Sequence, residues 1–468
     1  MTALFLLALS AVLFASQNSI AAWIMFVPLF LLVRRLPLRW LGLFGAVYGF
    51  VAYILLLPWL FRFSPPAMLG VGVLYSALWL VQFFVLKLVQ ERAKGGAFLL
   101  QPLCVVLFEF IKTRGFFGFS YGVSGYTQYK NLPLIQIASF CGVFGVSFLL
   151  AYCSSVVYEV CFVQKSVKNK KSVMLICSLM FFVLGSSAYG ALRIHRLKAR
   201  DSLAKKITVI AVQHDTDPWK GGIDAYEADV ERLITLTEDA LLKNPEASLV
   251  VWPETAVVPS ILKHYDGTDE RRRNLVRRLL SYIDEKDAVF VIGNQHVQGG
   301  SSYNSAFVFI PGNNVVPPAP EHYEKMHLIP LTEYFPYEAE LPAIYHALES
   351  ADTHFWTPGT KAAVFSAGDF RFSTPICFED SFGADCRRFF NDGARAFLNL
   401  SNDAWAKSRR CQVQHLQCAV FRSVENAVPS VRSTASGETC AITSWGRIES
   451  RCLPFCPAVS VSRIPVLP

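Results

Sequence analysis

Charge is scarce in this chain. Asp, Glu, Lys and Arg make up 17% of the 468 residues, against 53% hydrophobic ones, and the mean hydropathy is +0.35. Soluble domains carry about 25% charged residues, so this composition excludes an ordinary soluble protein of the same length and marks an integral membrane protein. The net charge is only +8, and no basic stripe with interleaved aromatics is present, which argues against a nucleic-acid partner. Basic loops flanking membrane segments account for that charge. The twelve cysteines lack Cys-x-x-Cys pairs and Cys/His metal spacing, and Cys104, Cys141, Cys153, Cys161 and Cys177 fall in apolar segments. Neither a disulfide scaffold nor a zinc site is indicated. Internal repeats and low-complexity stretches are missing as well.

What the chain has in abundance is apolar length. Residues 1–200 read as a transmembrane domain of about seven helices, at 3–16, 20–34, 38–62, 66–88, 97–112, 133–163 and 172–192, against the roughly 20 residues that cross a bilayer. The first segment lacks a basic leader and is followed by further spans, so it is expected to stay as an anchor. Arg34, Arg35 and Arg39, then Lys87 to Lys94, then Lys165 to Lys171 fall on one side of this series. By the positive-inside rule that side is the cytoplasm, which places everything beyond Tyr189 outside. The basic run Arg193 to Arg200 opposes this, although large translocated domains are mostly exempt from the rule. Within the spans, Glu109 lies in Val105-Val106-Leu107-Phe108-Glu109-Phe110; an embedded acid marks a functional site or a partner such as Lys112 or Arg114. The Gly- and aromatic-rich loop from Arg114 to Gly122 suits the headgroup interface.

From about Lys205 the pattern changes to strands alternating with helices, which predicts an α/β layered domain over residues 201–460. Strands are expected at 207–213, 248–252, 288–293, 305–310, 362–366, 372–377 and 395–400, with helices at 224–243, 270–284 and about 411–427.

Three of the strand ends carry complementary chemistry. Phe372-Ser-Thr-Pro-Ile-Cys377 leads a thiol into a turn toward an acid-led helix, where backbone N–H groups lower a thiol pKa and receive an oxyanion. Glu254 follows Trp252 and Pro253, whose bulk partly desolvates the carboxylate and fits it to accept a proton. Lys325 offers a cation for a thiolate and a tetrahedral oxyanion. Singly, each has an ordinary explanation as a core thiol, a helix-start acid or a surface charge. Together a base, a cation and a thiol suffice for acyl transfer through a thioester.

The flanks of all three form one pattern. Trp252-Pro253-Glu254-Thr255, Tyr323-Glu324-Lys325 through Glu333-Tyr334-Phe335-Pro336, and Pro375-Ile376-Cys377-Phe378-Glu379 resemble the Glu-Lys-Cys signature of the nitrilase superfamily. With the preceding spans, Phe108 to Gln128, Asn399 to Trp405, Gln414-His415-Leu416 and Glu425-Asn426, the chain is similar to the apolipoprotein N-acyltransferase family over nearly its whole length. The resemblance implies a multi-span α-helical membrane domain followed by a nitrilase-type α-β-β-α sandwich on the periplasmic face of the bacterial inner membrane. It implies no cofactor and no metal. The partners would be a phospholipid acyl donor and a diacylglyceryl apolipoprotein acceptor, with a monomer as the default. Cys377 maps to the nucleophile, Glu254 to the base and Lys325 to the oxyanion stabiliser; Glu333 and Glu379 map to acids near the nucleophile, and Phe378, Trp405 and Trp219 to supporting or substrate-binding positions. Three departures stand out. Phe378 replaces a common Tyr, Ala406 to Cys411 replaces an aromatic-glycine stretch, and residues 461–468 form a tail without the family's usual C-terminal transmembrane helix. A membrane-tethered amidase, with water as acceptor, would use the same three residues.

Overall fold

In the computed structural model, which describes residues 1–116, 118–217, 221–349 and 355–468, the chain divides into two compact units, Met1–Arg196 and Leu197–Pro468. The first is helical: α1 (Thr2–Ser16), α2 (Val27–Arg35), α3 (Leu38–Leu56), α4 (Pro58–Phe63), α5 (Pro65–Arg92), α6 (Ala97–Lys112), α7 (Leu132–Ile135), α8 (Ala138–Tyr158) and α9 (Lys170–Leu203), the last running into the second unit. Prolines at or next to the first position of α2, α4 and α5 start helices where no N–H is needed. Ser64 caps α5 by accepting from the Ala67 amide.

Among the described residues, four helical stretches are long and apolar enough to cross a membrane: α3, α5, α8 with its continuation to Gln164, and α9. The remaining expected spans are the shorter α1, α2 and α6, of 15, 9 and 16 residues. The nine residues of α2 rise only ~14 Å, under half of a bilayer core. The protein is therefore a membrane protein by its longest helices. α3 and α5 approach closely because the contact face of α3 is glycine: a Cβ on Gly49 would lie 2.3 Å from the Tyr75 carbonyl oxygen. Glu109 is buried and accepts from the Ser124 amide at 2.9 Å. Lys112 donates to the Tyr53 hydroxyl and the Tyr121 carbonyl, each at 2.9 Å. Both embedded charges thus have local polar partners, as apolar surroundings demand.

The second unit contains β1 (Lys206–Gln213), α10 (Gly222–Lys243), β2 (Ala247–Val251), α11 (Ile261–His264), α12 (Glu270–Asp284), β3 (Val289–Gln298), β4 (Ser301–Phe309), β5 (Glu321–Glu324), α13 (Pro342–Glu349), β6 (Phe365–Ala367), β7 (Phe370–Phe372), α14 (Gly383–Asn391), β8 (Phe397–Ser401), α15 (Arg409–Asn426), β9 (Ser430–Thr434), β10 (Cys440–Ile442), β11 (Ile448–Glu449) and β12 (Ala458–Pro465). A six-stranded sheet, β12-β1-β2-β3-β4-β5, faces a four-stranded one, β11-β10-β9-β8. Strand alternation builds two cores. Val209, Leu249, Val251 and Val291 pack with Leu398, Leu400 and Val431 between the sheets. Their neighbours Ile210, Val250, Trp252 and Phe290 pack with Leu233 of α10 and Leu279 of α12. This is the expected sandwich of two sheets with helical outer layers.

The chain end corrects one boundary. Residues 461–468 were expected to be a tail beyond a domain ending at 460, yet β12 pairs with the whole of β1, from Lys206↔Pro465 to Gln213↔Ala458. Ile464 and Leu467 are buried in the inter-sheet core, so this stretch belongs to the second unit.

Close α3–α5 packing predicts a specific sensitivity. Gly49→Val should lower the thermal unfolding midpoint of the detergent-solubilised chain by an overpacking cost of about 1–3 kcal/mol. Gly70→Ala, where a Cβ meets nothing within 4 Å, should leave it unchanged or slightly raised.

Candidate active site

Glu254, Lys325 and Cys377 are delivered by three different turns. Glu254 lies three residues past β2, in a turn where Thr255 takes a left-handed φ of 51°. That turn crosses β3 at Gly293, where a Cβ would stand 2.3 Å from the Pro253 carbonyl oxygen; only glycine permits the approach. Lys325 follows β5 directly and is pinned at its backbone, donating to the Asn304 carbonyl and accepting from Gly359, both at 2.8 Å. Cys377 was expected at a strand end. Instead β7 stops at Phe372, single bridges at Ser373 and Ile376 extend the chain beside β8, and Cys377 opens a 3-10 turn, Cys377–Ser381, with φ of 49°. A left-handed cysteine costs about 1–3 kcal/mol, so its surroundings must enforce it.

Glu254 and Lys325 meet directly, and both act electrostatically on the Cys377 thiol. Lys325 Nζ, its side chain wholly buried, lies 3.1 Å from Glu254 Oε1 and 2.8 Å from Glu333 Oε1. Glu254 also accepts from the Asn304 side-chain amide at 2.8 Å and the Asn402 backbone amide at 2.9 Å, which fixes both carboxylate oxygens. Burial opposes the charge on Lys325, but Glu254, Glu333 and Cys377 outweigh it and hold the ammonium well above its ordinary pKa. Burial pushes the Cys377 thiol well up, Glu254 adds to that and Lys325 offsets only part; the sulfur rests as a thiol and needs a base to react. Glu333 is raised by burial and by Glu254, against the pull of Lys325. Two carboxylates flanking one ammonium leave one carboxylate able to take a proton.

Glu379 does something different from what its proximity suggests. It is fully buried and takes four donors: the Tyr323 hydroxyl (2.7 Å), and the amides of Met326 (2.8 Å), His327 (3.0 Å) and Ile376 (2.7 Å). It therefore ties the turn after Lys325 to the turn before Cys377. Phe378 is buried edge-on to Phe382, with centroids 5.1 Å apart. Trp405 is half-buried in the short turn Ala404–Ala406, and Trp219 lies outside the described residues.

Behind Cys377 sits a cluster given no role from sequence, although His415, Asn399 and Asp403 lie in stretches that carry the family resemblance. His415 of α15 points Nε2 at the Cys377 carbonyl oxygen, 2.9 Å away, and at Asp380 Oδ1, 3.0 Å away, while Nδ1 meets Asp403 Oδ1 at 2.9 Å. Arg432 of β9 pairs with Asp380 and stands 3.8 Å from Asp403. Asn399 donates to the Pro375 and Cys377 carbonyls at 3.1 and 3.2 Å. All are buried. Two acids and two cations balance, which such burial requires. Burial works against the His415 charge, but Asp380 and Asp403 raise its pKa to about 10. A charged residue in the middle of Val431-Arg432-Ser433 is the signal that could have marked the cluster. With Asn399, it holds the Cys377 carbonyl and so the left-handed turn.

His415→Asn is expected to lower turnover about 10- to 100-fold with little change in KM, because it loosens the nucleophile's backbone rather than substrate contacts. The raised histidine pKa also sets a pH trend. Its stabilisation is complete below the unfolded value near 6.5 and is lost as pH rises through about 10. Thermal melts across pH 7–10.5 should decline in wild type and flatten in His415→Asn; parallel curves would contradict the assignment.

Comparison with known proteins agrees with this architecture. Residues 4–156 match the model described as the apolipoprotein N-acyltransferase N-terminal domain, and residues 210–465 match the carbon-nitrogen hydrolase model. The chain is 38% identical to a Treponema denticola protein named apolipoprotein N-acyltransferase 1, over 99% of this chain and 90% of that protein. A Treponema pallidum protein of the same name is 40% identical, over 94% of this chain and 84% of its own length. A solved structure, a Saccharomyces cerevisiae member of branch 10 of the nitrilase superfamily, aligns with a TM-score of 0.40 at 17% identity, over 56% of this chain and 90% of that one. By the full-length relatives, the chain belongs to the apolipoprotein N-acyltransferase family.

Proposed function

We propose that this chain transfers a fatty acyl group from a phospholipid to the α-amine of a diacylglyceryl-cysteine at the start of an apolipoprotein, in two half-reactions through a thioester on Cys377. Glu254 takes the Cys377 proton as sulfur attacks the ester carbonyl. Negative charge develops on the carbonyl oxygen, and Lys325, already fully charged and fixed by two carboxylates, stabilises it. The intermediate collapses, the C–O bond breaks, and the lysophospholipid alkoxide leaves with the proton from Glu254. In the second half, the lipoprotein amine attacks the thioester, Glu254 accepts the amine proton, the C–S bond breaks as the amide forms, and the departing Cys377 thiolate takes that proton from Glu254. Glu333 keeps Lys325 aimed, and Glu379 keeps its turn against that of Cys377.

The observation that carries this reading is the buried Glu254–Lys325–Glu333 chain of contacts at 3.1 and 2.8 Å, within electrostatic reach of the Cys377 thiol, in a chain whose full-length relatives are named for this transfer. Both substrates are lipid-anchored, so an enzyme anchored in the same bilayer meets them without extracting either into water. Orientation follows from the basic clusters alone. Arg34 to Arg39, Lys87 to Lys94 and Lys165 to Lys171 on the cytoplasmic side put the end of α9, and with it the catalytic unit, on the periplasmic side of the inner membrane.

Incubated with phospholipid and no acceptor, the wild-type chain should gain the mass of one acyl group, released by neutral hydroxylamine. Cys377→Ala should gain none and should lose acyl transfer to a diacylglyceryl peptide by on the order of 10⁴-fold or more. Lys325→Met should cost about 10²–10³ in turnover. Release of free fatty acid or of ammonia from small amides, with no acyl adduct and no transfer, would favour the amidase instead.

A further inference from the structure

The sheet that delivers Lys325 carries a second polar group on its opposite face. Along β5 the side chains alternate, so Tyr323 and Lys325 turn toward the inter-sheet side while His322 and Glu324 turn away. The register aligns Glu324 with Ser305 of β4 and Asn294 of β3, and His322 with Phe307 and Ile292. His296 stands two residues beyond Asn294 and therefore shares this face. Ser305, small and on the strand between, lets the side chains of β3 and β5 meet above it. His296 Nδ1 lies 3.0 Å from Glu324 Oε1, His322 Nε2 lies 3.9 Å from the same oxygen, and the two imidazole centroids are 4.4 Å apart. One donor atom from each of the three falls within 4.8 Å of the other two. Ser305 Oγ is buried and has no hydrogen-bond partner among the described residues.

Ligand atoms bound at ~2.0–2.2 Å around a tetrahedral zinc ion stand about 3.3–3.5 Å from one another. The contacts to Glu324 Oε1, 3.0 and 3.9 Å, bracket that separation, so small side-chain rotations bring the three donors into place. We propose that His296, His322 and Glu324 form a binding site for a single divalent cation of the zinc class, with the remaining position open to water. Two imidazoles and a carboxylate, without thiolate, make a donor set that suits zinc. His322 and Glu324 have side-chain exposures of 35% and 24%, so an ion reaches the site from solvent, while His296 is buried and fixes one corner.

The ion takes no part in acyl transfer. Its effect is mechanical: β5 is a four-residue edge strand held in its sheet by β4 alone, and its last residue, Glu324, adjoins Lys325. A cation gripping Glu324 and His322 from β3 bridges across β4 and restrains the strand that positions the catalytic ammonium. Separation of the ligands along the chain, with the two histidines 26 positions apart, hides the site from spacing rules.

The test uses the full chain in detergent in a Cys377→Ala background, which keeps the active-site thiol from taking the ion. After chelation and desalting, cobalt(II) absorption and zinc(II) calorimetry should each show one saturable site per chain, and zinc should raise the unfolding temperature. His322→Asn and Glu324→Gln, both partly exposed positions, should fold with unchanged ion-free melts and weaken binding at least tenfold, abolishing the zinc-dependent shift. Absence of saturable binding, or equal affinity in both variants, would show that His296 and Glu324 make only a hydrogen bond and would overturn the site.

Discussion

The second unit depends on one buried arrangement, an ammonium held between two carboxylates. Lys325 has no accessible side-chain surface, and the dehydration of its charge is offset only because Glu254 and Glu333 contact it directly. That requirement propagates outward. Glu254 must be presented by the turn after β2, which can cross β3 only at a glycine. Lys325 must leave β5 at a fixed point, and its backbone is accordingly bonded on both sides. The cost of a misplaced charge in this interior makes the geometry close to all-or-none.

Around this core, further polar groups act on backbone rather than on substrate. Glu379 gathers four donors from two turns, and His415 with Asn399 grips the carbonyl of Cys377. The strain of a left-handed cysteine is thereby borne by a neutral cluster of Asp380, Asp403, His415 and Arg432. Buried charges persist only where acids face cations, which explains why residues from β8, β9, α15 and the Cys377 turn all contribute. In the six-stranded sheet, alternation puts Lys325 on one face and the His296–His322–Glu324 group on the other.

Particular residues show how far pattern carries. Glu254, Lys325 and Cys377 were legible as candidates because each sits in a distinctive local motif. The α/β order was legible because strands such as β1 and β2 are uninterrupted apolar runs with opposite faces buried in two cores. β5 and β9 to β12 were missed: β5 is short and polar, and β12 reads as a tail until β1 lies beside it. The span 20–34 has the composition of a membrane segment, but Pro28 and the turn at Ala21–Trp23 divide it. Asn304 has no local signature, and the roles of His415 and Arg432 were hidden although His415 lies in a motif and Arg432 in a buried strand, since their partners lie on other elements.

The amino-acid sequence by itself determined the membrane character, the α/β class of the second unit and which carboxylate, ammonium and thiol stand as candidates, because composition and short-range period are local properties. Tertiary structure alone decided which carboxylates share the ammonium, that Cys377 adopts a left-handed turn held by His415, that Glu379 is a tie between turns, and that two histidines and a glutamate meet across β4. Those outcomes turn on contacts of a few ångströms between residues far apart in the chain. Such contacts exist only once the sheets have set their register and the interior has forced every buried charge to find a partner.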